Sequence, residues 1–218
     1  MKLNSTCATL ALTFGLGVAA NAAVISLSDA SFETAFGGTQ GTAGSGWFTF
    51  GNTAAANQVD GGFWNIANPN GTNAAYATSI STTDGGSIYQ TVTLDAGRTY
   101  RFTAAVAQSA STNKNNANYA LVFFNSGFST AEATTTGIVA NQSGTFVDSS
   151  VDFAVTTTGT YHVGVRNRGH ITGTGANNNQ STVFFDNARL TDITPIPEPS
   201  STALLGLGGL ALILRRRK

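Results

Sequence analysis

The chain has 218 residues, a formal net charge of zero and only 10% charged residues, far below the usual quarter. Gly, Ser, Thr, Asn and Ala dominate, and a chain this poor in cations does not present the basic surface that nucleic acid requires. A single cysteine, Cys7, excludes an internal disulfide and a multi-cysteine metal site.

The first segment reads as an export signal. Lys2 supplies the positive start, residues 10–20 form an apolar stretch, and Ala20-Asn21-Ala22 offers small residues for cleavage after Ala22. Residues 1–22 are therefore expected to leave with Cys7, so that the mature protein carries no thiol. Residues 23–194 read as one domain with six cationic and ten acidic residues, a net of −4. Early in it, Gly46-Trp47-Phe48-Thr49-Phe50 and Gly61-Gly62-Phe63-Trp64-Asn65 place both tryptophans in Gly- and Asn-rich surroundings.

Strand periodicity then dominates. Residues 87–94 alternate, with Ile88, Val92 and Leu94 pointing inward. Asp95-Ala96-Gly97 is a turn, and residues 99–107 alternate again with Tyr100, Phe102, Ala104 and Val106, or their neighbours, inward. This pair is expected to form an antiparallel hairpin. Residues 118–125 form a further strand, with either Leu121 and Phe123 or Val122 and Phe124 inward. Residues 145–155 bury Val147, Val151, Phe153 and Val155; residues 160–167 bury Tyr161, Val163 and Val165. Residues 182–193 close the domain with Val183, Phe185, Leu190 and Ile193. Many short strands at close intervals, with Gly/Asn/Thr turns between them, predict an all-β, two-sheet antiparallel jelly-roll sandwich.

The order of three short motifs supports that architecture. Asp29-Ala30-Ser31-Phe32-Glu33 opens the domain, Gly86-Ser87-Ile88-Tyr89-Gln90-Thr91-Val92 lies in the middle, and Phe184-Phe185-Asp186-Asn187-Ala188-Arg189-Leu190 closes it. This order resembles galactose-binding-like jelly rolls, including several carbohydrate-binding modules. The resemblance implies a structural calcium held by Glu33 and Asp186, with backbone carbonyls completing the shell.

Catalytic patterns are sparse. His162 and His170 are the only histidines and show no zinc-ligand spacing. His162 is expected to face solvent and His170 to sit in a turn. Asp148 and Asp152 share a strand face, an arrangement that suits glycoside chemistry but is more often a pair of solvated acids. We expect a non-enzymatic protein, although some calcium-dependent cyclases resemble this type of jelly roll. A sugar site would use aromatic faces with Asn and Arg hydrogen bonds, and Trp64, Arg166 and Asn167 are the candidates, with extracellular polysaccharide as the expected ligand. A surface protein that binds other proteins and lacks a sugar site is the rival reading.

The last segment has three parts. Pro195-Ile196-Pro197-Glu198-Pro199-Ser200 cannot be regular helix or strand. Residues 202–214 are uncharged and rich in Leu, Gly and Ala, and Arg215-Arg216-Arg217-Lys218 ends the sequence as a stop-transfer cluster. A helix of about 13 residues spans about 20 Å against a hydrocarbon core of about 30 Å, so it suits a short, transient membrane anchor. Pro197, Glu198 and Pro199, the apolar run and the basic end, in that order, resemble the PEP-CTERM sorting signal over residues 195–218. The resemblance implies recognition by an exosortase-type sorting protease and delivery to the cell surface or extracellular matrix.

Overall fold

The computed structural model describes residues 23–34, 46–50, 57–60, 66, 68–80, 82–83, 85–110, 114–128, 130–140, 142–175, 180–195, 206, 208–210 and 214–215. The chain divides into two units, residues 22–194 and residues 1–21 with 195–218. In the second unit, Gly206, residues 208–210 and Leu214 with Arg215 are helical; among the described residues no helix is long and apolar enough to cross a membrane. The signal segment 1–22, the Pro197-Glu198-Pro199 motif and Arg216, Arg217 and Lys218 lie outside the described residues.

Among the described residues the domain has eleven strands: β1 (Val24–Ile25), β2 (Phe48–Phe50), β3 (Asn57–Asp60), β4 (Asn73–Ser79), β5 (Ser87–Leu94), β6 (Thr99–Ala107), β7 (Ala117–Asn125), β8 (Ala131–Val139), β9 (Val147–Ala154), β10 (Gly159–His170) and β11 (Ser181–Asp192). They form two antiparallel sheets. One runs β3-β4-β11-β6-β9, with β1 also paired to β11; the other runs β2-β5-β10-β7-β8. This is the expected two-sheet sandwich, and the first and last strands are neighbours, with Ile25 opposite Leu190.

Alternation explains which residues meet. Ile88, Val92 and Leu94 of β5, Leu121 and Phe123 of β7, and Tyr161, Val163 and Val165 of β10 face Tyr100, Phe102, Ala104 and Val106 of β6 and Val183, Phe185 and Leu190 of β11 in one core. Phe123 packs edge-on against Phe102, centroids 6.4 Å apart, and lies 5.2 Å from Phe153. Each such large apolar side chain contributes about 1.5–3 kcal/mol through burial. β7 is apolar on both faces: Ala120, Val122 and Phe124 form a separate cluster on the other side, with Phe128 against it. Trp47 is also an interior side chain, 4.8 Å from Phe32, and its indole N–H donates to the Asp29 carbonyl at 3.0 Å.

Two expectations are corrected. β5 and β6 are not a hairpin: β5 pairs with β2 and β10, whereas β6 pairs with β11 and β9. After the turn, Gly97 N donates to Val155 O and Val155 N to Arg98 O, each at 2.8 Å, and the chain passes to the opposite sheet. Alternation specifies only that both strands turn an apolar face to the core, which is equally true side by side and face to face. Val147, expected inside, is 67% exposed at the start of the edge strand β9.

The sheets are also joined by a polar contact. Asn167 of β10 is fully buried; its amide donates to Ala77 O of β4 at 3.0 Å and lies 3.4 Å from Ser181 O of β11, while its Oδ1 accepts from Gly169 N at 2.9 Å. Asn167→Ala strips partners from buried groups, so it is expected to lower the unfolding free energy by about 1–3 kcal/mol. The exposed pair change Asp152→Asn should cost under about 1 kcal/mol. Urea unfolding of both variants checks this, and equal losses would refute the inter-sheet role of Asn167.

Candidate functional site

Two places concentrate chemistry. The first is an acidic turn. Residues 28–31 form a turn in which Asp29 has φ 44° and Phe32 φ 55°; Asn187, in the irregular part of β11 between Asp186 and Arg189, has φ 50°. Left-handed backbone at non-glycine residues stores strain that surrounding contacts must hold. Here Ala188 N donates to Ala30 O at 2.8 Å, and the Asp29 carboxylate accepts from Glu33 N at 2.7 Å and Thr34 N at 3.0 Å.

Glu33 then clamps the loop before β4. Its Oε1 accepts from Thr72 N and Asn73 N, each at 2.9 Å, and its Oε2 from the Thr72 hydroxyl at 3.0 Å. Gly71 has φ +81°, and a Cβ there would meet the Glu33 carboxylate, so a larger residue would be strained and would displace the clamp. Asp186 is fully buried behind this loop, accepting from Asn70 N at 3.0 Å and Asn187 N at 2.6 Å. Burial, reinforced by Glu33 and Asp29, pushes the Asp186 carboxyl up to about 7, against the pull of the two amides. Burial likewise raises Asp29. Glu33 and Asp29, the latter not singled out in the sequence, lie near enough to Asp186 for their charges to act on it. Their hard carboxylate oxygens suit a calcium ion. Among the described residues no group of three or more His, Cys, Asp or Glu is arranged to hold a metal, so backbone carbonyls would have to complete a shell.

The second place is the outer face of the five-stranded sheet. The inward commitment of Tyr161, Val163 and Val165 turns His162 and Arg166 outward. A cleft of about 170 Å³ has a floor of Ala120, Val122 and Phe124 and is flanked by Thr134, Arg166 and Arg168. A larger cavity of about 720 Å³ shares Arg168 and is lined by Thr82, Thr83, Asn118, Tyr119, Thr136 and Ile138. Gly137 stands opposite Tyr119, and its missing side chain leaves the space that the phenol ring occupies. Beyond Phe124 lies an aromatic group: Phe128 stacks on His162 at 3.9 Å and 4°, and Tyr89 meets both rings edge-on and packs against Phe48.

Other candidates are placed differently from expectation. His162 is not solvent-facing: Phe128 covers it, its Nδ1 lies 3.0 Å from the Thr91 hydroxyl and its Nε2 3.3 Å from Ser126 O. His170 is buried within β10 rather than in a turn. Asn167 points into the sandwich, so it does not share a surface with Arg166, its neighbour in an alternating strand. Trp64 lies outside the described residues. Asp148 and Asp152 do not converge: Arg189 binds one and Arg101 the other on an exposed face. The two Arg101 hydrogen bonds hold the Asp152 carboxyl below its ordinary range. The sequence reading missed β8, and with it one bank of the cavity, because the run Thr134-Thr135-Thr136 has no apolar alternation.

The fold and the tail together define an exported jelly-roll protein. The PEP-CTERM protein-sorting motif matches residues 195–218, and the protein is sorted by an exosortase system to the cell surface or extracellular space. The HpiC1-like family, described as HpiC1 cyclase, matches residues 23–191, and the chain belongs to it. A cyclase from Fischerella sp. TAU is similar in fold, at 20% identity and TM-score 0.56 over 81% of this chain and 100% of that one. The Stig cyclase Fisc from the same organism, in complex with (3Z)-3-(1-methyl-2-pyrrolidinylidene)-3H-indole, is similar at 19% identity and TM-score 0.54, over 81% and 100%. The CBM22-1 xylan-binding domain of Paenibacillus barcinonensis Xyn10C is similar at 12% identity and TM-score 0.53, over 82% and 100%. No curated protein matches the sequence.

The raised Asp186 has a signed consequence for stability. Between its ordinary 3.8 and about 7 the folded state holds a proton that the unfolded state has lost, so this group's contribution falls as pH rises through that window. The full difference is on the order of 4 kcal/mol. Asp186→Asn is expected to remove that part of the slope, seen as thermal midpoints of the metal-free variant that decline less between pH 4.5 and 7.5 than those of the parent.

Proposed function

We propose that this is a non-catalytic surface or matrix protein that binds extracellular polysaccharide on the outer face of its five-stranded sheet, with a structural calcium at Glu33 and Asp186. The observation that carries this reading is the cavity bounded by Thr82, Thr83, Asn118, Tyr119 and Thr136. Neutral hydroxyl and amide groups match the hydroxyls of a sugar, and aromatic rings suit the apolar face of a pyranose. Four acids elsewhere are engaged in structure: Asp148, Asp152 and Asp192 each hold an arginine, and Glu33 holds the loop before β4. Sorting through residues 195–218, with 202–214 as a transient membrane anchor, would deliver the domain to where such polymers are found.

A calcium ion would bring positive charge to carboxylates that otherwise repel one another, and so offset the burial of Asp186. Calcium is expected to raise the thermal midpoint at pH 7.5, a chelator to reverse it, and Asp186→Asn to abolish the response.

A cyclase is the second reading, favoured by the family match and by a buried carboxyl that titrates near neutrality. One experiment separates the two. The full chain is tested by affinity electrophoresis on a panel of neutral and acidic polysaccharides, and by calorimetry with the indole compound bound to Fisc. Retention by a polysaccharide, weakened about tenfold or more in the exposed cavity variant Ile138→Glu, supports the proposal; tenfold corresponds to about 1.4 kcal/mol. Binding of the indole compound alone supports the cyclase. Binding of neither leaves a protein partner as the reading to pursue.

A further inference from the structure

The loop before β4 carries the sole Asn-Gly pair of the sequence, Asn70-Gly71. Asn68 Nδ2 donates to Thr72 O at 2.6 Å and closes the base of the loop. Pro69, Asn70 and Gly71 lie between these two ends and are exposed. Main-chain bonds fix both flanks: Asn70 N donates to Asp186 Oδ2 at 3.0 Å, and Thr72 N and Asn73 N each donate to Glu33 Oε1 at 2.9 Å. Between these anchors, among the described residues, no hydrogen bond holds the Asn70 carboxamide or the Gly71 N–H. An exposed amide side chain and an unbonded main-chain nitrogen are thus neighbours. The clamp itself favours glycine at 71, because φ is +81° there and a Cβ would meet the Glu33 carboxylate.

From this juxtaposition we infer that Asn70 is a modification site, deamidated by the main chain of Gly71 without an enzyme. The Gly71 nitrogen gives its proton to hydroxide and attacks Asn70 Cγ. The new N–Cγ bond closes a five-membered succinimide, the Cγ–Nδ2 bond breaks, and the nitrogen leaves as ammonia with a proton from water. Water then opens the ring at one carbonyl or the other, giving aspartate or isoaspartate with no change of oxidation state. Glycine favours the attack because no Cβ shields its nitrogen and its backbone turns freely. Placing the two groups on neighbouring residues makes the step intramolecular. Either product adds a negative charge next to the loop contacts of Glu33 and Asp186, where like charges repel. Isoaspartate also lengthens the main chain by one methylene between Asn70 N and Thr72 N, so the Asp186 and Glu33 contacts no longer fit the same register. The domain, sorted to the cell surface or extracellular space, therefore acquires with age a more acidic and looser loop.

The test incubates the full chain at mildly alkaline pH and follows it by peptide mass mapping, beside a urea-unfolded sample. In the folded chain Asn70 is expected to convert at least about tenfold faster than any other asparagine, a barrier difference of about 1.4 kcal/mol. The rate should rise with pH, and the ammonia released should match the converted fraction. The thermal midpoint is expected to fall as that fraction grows. Asn70→Ser, an exposed change, should start at the parent's midpoint and hold it through the same incubation, whereas Asn70→Asp should show the effect of the added charge from the outset. An Asn70 that stays amidated in the folded chain while the unfolded chain converts would overturn the inference, because the fold would then protect it. Conversion no faster than at Asn125 would overturn it too. A midpoint that declines equally in Asn70→Ser would overturn the loosening of the loop.

Discussion

The period of two along β10 is the constraint on which the rest depends. This central strand pairs with β5 on one side and β7 on the other. Tyr161, Val163 and Val165 must enter the core, because leaving them exposed would forfeit the burial that holds the two sheets together. His162 and Arg166 are then committed to the outer face, and Asn167 to the inner one. The candidate binding face is what remains on the other side of a strand whose first task is packing.

The same logic gives the two faces of β7 different work. Leu121 and Phe123 join the main core, while Ala120, Val122 and Phe124 give the outer face an apolar floor. These three are themselves buried and form a small second core, with Phe128 packed against it. At the other place of interest the physics is electrostatic. Asp186 is buried behind the loop that Glu33 clamps, and this desolvation, reinforced by the charges of Glu33 and Asp29, pushes its carboxyl to about 7 against the pull of two backbone amides.

Burial also separates residues that look alike in the sequence. Trp47 stands among glycines like a loop residue, yet it packs on Phe32 and its indole N–H is satisfied by Asp29 O. His162 lies in a strand where solvent exposure is the simple expectation, but Phe128, carried on the turn between β7 and β8, folds back over it. In both cases the covering group comes from a distant part of the chain, so no local pattern announces it.

The sequence by itself determined the class of the fold, the strands from 87 to 107 and from 147 onward, and most of their inward residues, Val147 excepted, because a period of two against a buried face is local information. It also determined the sorting tail, whose proline motif, apolar run and basic end are consecutive. Only the tertiary structure decided that β5 and β6 belong to opposite sheets, since alternation is silent about which neighbour a strand chooses. It alone set Asn167 between the sheets and tied Asp148 and Asp152 to separate arginines. It assembled the cavity from residues of four separate segments of the chain. Threonine-rich β8 and the pairing of Tyr119 with Gly137 have no signature of their own; they acquire meaning only when hydrogen bonding places them side by side.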